Sequence, residues 1–79
     1  MVYCRLMEKA KDHAVYSIGV RTDDMTGKIT FYSDQRPPVL DKQADKNPVG
    51  VRHIGKLYGK YMEEFAQGDF REKLAYEIG

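Results

Sequence analysis

Hydrophobic and polar positions alternate at the start of the chain, and the period then changes. In Val2–Lys9, VYCRLMEK, the residues Val2, Cys4 and Leu6 take one parity and Tyr3, Arg5, Met7 and Lys9 the other. Ala14–Arg21, AVYSIGVR, puts Tyr16, Ile18 and Val20 on one parity, and Lys28–Ser33, KITFYS, does the same with Ile29 and Phe31. Period-two alternation rich in Val, Ile, Tyr and Phe is the signature of strands. The polar stretches AKDH and TDDMTG read as turns, the second with Gly27 in a left-handed conformation. Residues 1–33 are therefore expected to form a three-stranded antiparallel β-meander.

Parity also fixes faces, because a slip of one residue turns every side chain over. The expected register pairs Val2 with Val20, Cys4 with Ile18 and Leu6 with Tyr16, then Val20 with Ile29 and Ile18 with Phe31. The inner face becomes Val2, Cys4, Leu6, Tyr16, Ile18, Val20, Ile29 and Phe31. The outer face carries Tyr3, Met7, Val15, Thr30 and Tyr32, four cations (Arg5, Lys9, Arg21 and Lys28) and no acid. Ser17 and Gly19 lie low between Tyr32 and Tyr3, which gives a furrow with tyrosine walls and a basic rim.

Residues 34–47, DQRPPVLDKQADKN, are polar with a Pro-Pro pair. They read as a long loop, or as a loop with one helical turn after Pro38. The period then becomes helical. Val51, Ile54, Leu57, Tyr58, Tyr61, Met62 and Phe65 form one broad stripe. Asn47 is a candidate N-cap with Pro48 in the first helical position, and Gly68 is a natural stop. A helix is expected over 48–67. Residues 69–78 fit two patterns. Asp69–Glu72 matches a capping box, with Phe70, Leu74 and Ile78 at helical spacing; Leu74, Tyr76 and Ile78 also alternate. A short helix is the preferred reading and a strand the other. The class is a single α+β domain: the meander, an amphipathic helix packed on one face, then the short C-terminal element.

The helix contains two glycines, each costing roughly 1 kcal/mol against alanine. On the helical wheel Gly55, Gly59 and Ala66 share one border of the apolar stripe beside Met62, with Arg52 and Glu63 beyond. They form a shallow trough that would seat the protein's own sheet or tail, or else a second copy or partner. Arg52, Lys56 and Lys60 fall on one ridge with His53 nearby, while Glu63 and Glu64 come later. That order opposes the helix macrodipole. Acids elsewhere in the chain would offset it, or an anionic partner would.

The totals add little. The 79 residues are 42% apolar and 32% charged, with a net charge of +1, which suits one small globular domain and favours no partner in bulk. Charge separates locally. Residues 48–60 hold three basic residues, a histidine and no acid, whereas 61–79 hold two basic residues and five acids. No run approaches the ~20 apolar residues of a membrane span. Charges at Arg5 and Glu8 argue against a signal peptide, so a cytoplasmic protein is expected. The single cysteine excludes an internal disulfide.

No phosphate loop, dinucleotide fingerprint, calcium loop or zinc spacing occurs. Cys4 faces the expected core and lies well away from His13, so no nucleophile–base pair is evident. No catalytic residue, cofactor or metal ligand is expected, and the chain reads as non-enzymatic. The first functional reading is a small intracellular interaction domain whose partner is another protein or a second copy, met through the helix trough or a strand edge. The alternative is a nucleic-acid-binding domain. The candidate residues are Tyr3, Arg5, Lys9, Arg21, Lys28 and Tyr32 on the sheet, and Arg52, Gly55, Lys56, Gly59 and Lys60 on the helix.

Overall fold

The computed structural model describes residues 1–77. The elements run β1 (Val2–Lys9), β2 (His13–Gly19), β3 (Gly27–Tyr32), β4 (Val39–Lys42), α1 (Val51–Ala66) and β5 (Lys73–Tyr76). They build one antiparallel sheet in the order β4-β3-β2-β1-β5, with α1 packed on one face. The class is α+β as expected, but the sheet has five strands rather than three. Both additions cover edges that the meander would leave open.

β4 comes from the stretch expected to be a loop. Leu40 and Val39 pair with Ile29 and Thr30 along the edge of β3. β5 is the strand reading of the tail, so the expected helix over 69–78 is corrected; Ile78 lies outside the described residues. The capping box fails because the α1 terminus already uses its groups. Gly68 takes φ +77°, its N–H bonds the Phe65 carbonyl, and the Asp69 N–H bonds the Glu64 carbonyl. This is a Schellman stop. The chain is then drawn along β1, where Leu6 N–H donates to the Glu72 carbonyl at 2.8 Å and Leu74 faces Cys4.

The β1–β2 register is the expected one as far as Leu6↔Tyr16. A bulge at Met7 then sets Glu8 opposite Val15 and Lys9 opposite Ala14. The β2–β3 register is slipped by four residues from the expected one, with Tyr16↔Ile29, Ala14↔Phe31 and Ile18↔Gly27. A slip by an even number of residues preserves parity, so Tyr16, Ile18, Ile29 and Phe31 still face inward, with Ala14 joining them and Val20 falling beyond the end of β2. The cause is the loop 20–26. It folds back so tightly that a Cβ on Gly19 would lie 2.2 Å from the Asp24 carbonyl oxygen. Gly27 is a strand residue pressed against Ile18, not a left-handed turn residue.

Asp24, 3% exposed, holds this loop in place. Its carboxylate accepts from Thr26 Oγ1 at 2.7 Å, Lys46 N–H at 3.1 Å and Asn47 N–H at 2.8 Å. Gln43 bonds both the N–H and the C=O of Val49. These contacts commit the backbone of 46–49 to a loop. The helix therefore begins after Gly50, which caps it without a side-chain bond, and not at the expected Asn47-Pro48.

The core lies between α1 and the inner face. Val2, Cys4, Ala14, Tyr16, Ile18, Ile29, Phe31, Leu57, Tyr61, Phe65, Phe70 and Leu74 are buried there. Phe65 is its centre, with ring centroids 4.8 Å from Phe31 and 5.3 Å from Phe70. Burial pushes the Cys4 thiol up to about 12, so it behaves as a small apolar side chain. Tyr16 donates its hydroxyl to the Arg71 carbonyl at 2.6 Å.

Candidate interaction surfaces

The helix buries Leu57, Tyr61 and Phe65 and half-buries Ile54 and Tyr58. Val51 and Met62, expected in the core stripe, are 87% and 39% exposed. Gly55 and Gly59 are exposed too, and a Cβ on either would meet nothing within 4 Å. Among the described residues, no part of the protein's own sheet or tail therefore sits in the trough. Val51, Gly55, Gly59, Met62 and Ala66 span about 80° of the wheel at 100° per residue and form an exposed strip without charge. Arg52, Lys56 and Glu63 flank it. Among the described residues no carboxylate lies within ion-pair distance of Arg52, Lys56 or Lys60. Glu64 pairs with Arg71 at 2.5 Å instead of Lys60. His53 turns a shielded Nδ1 inward without a hydrogen-bond partner.

Lys60 and Tyr61 serve the sheet. The Tyr61 hydroxyl donates to the Ala75 carbonyl at 3.1 Å and accepts from the Ala75 N–H at 3.2 Å; Lys60 Nζ donates to the same carbonyl at 3.0 Å. These side chains occupy the N–H and C=O of Ala75, which a further strand on the β5 edge would need. On the opposite side, β4 is a short edge preceded by Pro37 and Pro38. Pairing through a strand edge is disfavoured at both ends of the sheet.

The outer face differs from expectation. Arg21 lies in the loop and pairs with Asp23, Nε to Oδ1 at 3.0 Å. Lys9 is moved off the face by the bulge. Tyr32 lies opposite His13, not Ser17, with the Arg36 guanidinium 4.3 Å from its ring centroid. Two acids arrive: Glu8 through the bulge, and Asp41 from β4, whose carboxylate accepts from Thr30 Oγ1 at 2.7 Å. Arg5, Lys28 and Tyr3 stay where expected, and β4 and β5 add cations that the three-strand reading could not place. Reading across the partners gives one row over all five strands, Lys73–Arg5–Ser17–Lys28–Lys42. Lys42 is occupied by Asp45 and the Thr26 carbonyl. Lys73, Arg5 and Lys28 have no ion-pair partner among the described residues. Beside Arg5 and Lys73 an open groove of about 500 Å³ is lined by Tyr3, Ser17, Thr22 and Met25, and by Tyr61 of α1 where its hydroxyl reaches the β5 edge.

Among the described residues no three His, Cys, Asp or Glu side chains gather as a metal site, and no helix is long and apolar enough to cross a membrane. Comparison with protein-family models, curated proteins and solved structures finds no match to this chain.

Proposed function

We propose that this chain is a small protein-interaction domain and that its partner is a second copy of itself, packed antiparallel along α1. The observation that carries the reading is the uncharged, exposed strip Val51–Gly55–Gly59–Met62–Ala66, which none of the described residues covers. Two-fold pairing centred between Tyr58 and Gly59 sets Met62 of one copy opposite Gly55 of the other, and Val51 opposite Ala66. Both of these levels match a larger side chain to a smaller one, and the two Gly59 residues meet at the axis, which suits close helix approach.

Charge supports the same arrangement. In an antiparallel two-fold pair, the same flank of both helices comes together. Glu63 of one copy falls at the level between Arg52 and Lys56 of the other. The order that opposes the macrodipole within one helix thus becomes complementary between two. The helix is about 24 Å long at 1.5 Å per residue, and such a contact buries less than the roughly 1,200–2,000 Å² of a standard interface. The association is accordingly weak, micromolar rather than nanomolar.

Sedimentation equilibrium over a wide concentration range tests this. The mass rises from monomer toward dimer with concentration. Met62→Glu abolishes the rise; Glu63→Lys weakens it, and adding Arg52→Glu and Lys56→Glu to Glu63→Lys restores it. A monomer mass throughout, or an unchanged rise in Met62→Glu, overturns the reading.

A further inference from the structure

The row of cations lies on the face of the sheet opposite α1, away from the strip that the self-pairing reading uses. We infer that this face binds single-stranded nucleic acid, with the sugar–phosphate backbone running across the strands along Lys73, Arg5 and Lys28. Three observations support the assignment.

The first is charge without compensation. Arg5 and Lys73 stand directly opposite each other on β1 and β5, a like-charge cross-strand pair that disfavours the sheet unless an anion lies over it. Lys28 continues the line two strands on, beyond Ser17. Strands sit about 4.8 Å apart, so the row of free cations from β5 to β3 spans roughly 14 Å, the reach of more than one nucleotide and not of a single small anion.

The second is confinement. Thr22 and Met25 raise a wall on the Tyr3 side of the row. On the other side Glu8 and Asp41 line a second hollow with Lys28 and Thr30 and repel an anionic chain. The polyanion is held to one track by a wall on one side and carboxylates on the other.

The third is the aromatic. Tyr3 is half-buried in the groove next to Arg5, placed to stack on a base whose phosphate the row engages. A cationic groove with an aromatic platform is how single strands are held without sequence readout. The face offers no helix or protruding ribbon to enter a duplex major groove, so the single strand is the form it fits.

The test is fluorescence anisotropy of a labelled oligothymidylate titrated with the full chain at several salt concentrations. Three engaged phosphates give a log–log salt slope of about −2, a loss of roughly 20-fold in affinity between about 50 and 200 mM salt. Arg5→Gln with Lys73→Gln reduces the slope to about −0.7. The control pair Lys11→Gln with Lys46→Gln, equal in net charge, leaves it unchanged. Tyr3→Leu weakens binding about tenfold at constant slope. Circular dichroism verifies folding, and single Lys28→Gln gives an independent reading of the same row. No binding, a slope that the row variants do not change, an equal effect in the control pair, or polyglutamate binding as tightly as the oligonucleotide would each overturn the inference.

Discussion

Replacing Gly55 or Gly59 with alanine should make the monomer more stable. In an exposed helix interior, glycine is about 0.8–1.0 kcal/mol worse than alanine, chiefly because the unfolded glycine chain has more freedom to lose. The gain is cancelled only where the new methyl clashes, and here a Cβ at either position meets nothing within 4 Å. Each single substitution should therefore contribute about 1 kcal/mol, and the double about 2, the two methyls adding because neither meets a packing partner that the other shares. In a domain of this size 1 kcal/mol moves the midpoint temperature by roughly 4–8 °C. With a urea m-value of about 1 kcal/mol/M, the denaturation midpoint moves by about 1 M. The assay is equilibrium urea unfolding followed by far-UV circular dichroism at protein concentrations well below the association range found by sedimentation, where the monomer dominates. Two internal controls should move the other way. Gly19→Ala drives a methyl into the Asp24 carbonyl, and Gly68→Ala strains a residue at φ +77°. A loss of stability in Gly55→Ala or Gly59→Ala would refute the reasoning, because it would mean that another part of the chain already fills the trough.

Three further outcomes follow from the same contacts. Phe65→Ala empties the centre of the aromatic cluster and should cost about 3–5 kcal/mol, read as a collapse of the urea midpoint. Tyr61→Phe keeps the packing but strips the β5 edge of its hydroxyl partner; it should cost about 1–3 kcal/mol and speed amide exchange at Ala75 in particular. The Asp24 carboxyl is held below its usual 3.8, first by the Thr26 hydroxyl and then by the backbone N–H of Asn47. Its contribution to stability is therefore full above about pH 4 and lost as pH falls through the depressed value. Asp24→Asn should lower stability at neutral pH and flatten the acid limb of a stability–pH curve measured by chemical denaturation.

Side-chain parity was legible in the sequence because each meander strand has one dry face, and a slip of one residue would have exposed Ile18 and Phe31. The absolute register of β2 and β3 was not legible, since a slip of four residues, like any even slip, costs no parity; the choice was made by Asp24 and Gly19, whose contact joins residues that no periodicity links. The two edge strands were hidden for related reasons. Val39 and Leu40 are only two apolar residues in a polar stretch, and they become a strand because the β3 edge is waiting for them. The tail fitted both helix and strand on local grounds, with helix preferred, and the open edge of β1 decided for the strand. The error about Val51 and Met62 came from treating the apolar stripe as all buried, when the sheet covers only the side of α1 centred on Leu57, Tyr61 and Phe65. The cation row was half visible: Arg5 and Lys28 could be placed from the meander, whereas Lys73 and Lys42 joined it only once β5 and β4 formed.

The self-pairing of α1 is tested most directly by an isotope-filtered NOE experiment on a mixture of ¹³C-labelled and unlabelled protein at high concentration. Antiparallel pairing predicts intermolecular cross-peaks from the Met62 methyl to the Gly55 α-protons, with Val51 methyls reaching Ala66. Filtered spectra that are empty at concentrations where the mass is dimeric, or peaks that join Met62 to Met62, would contradict it.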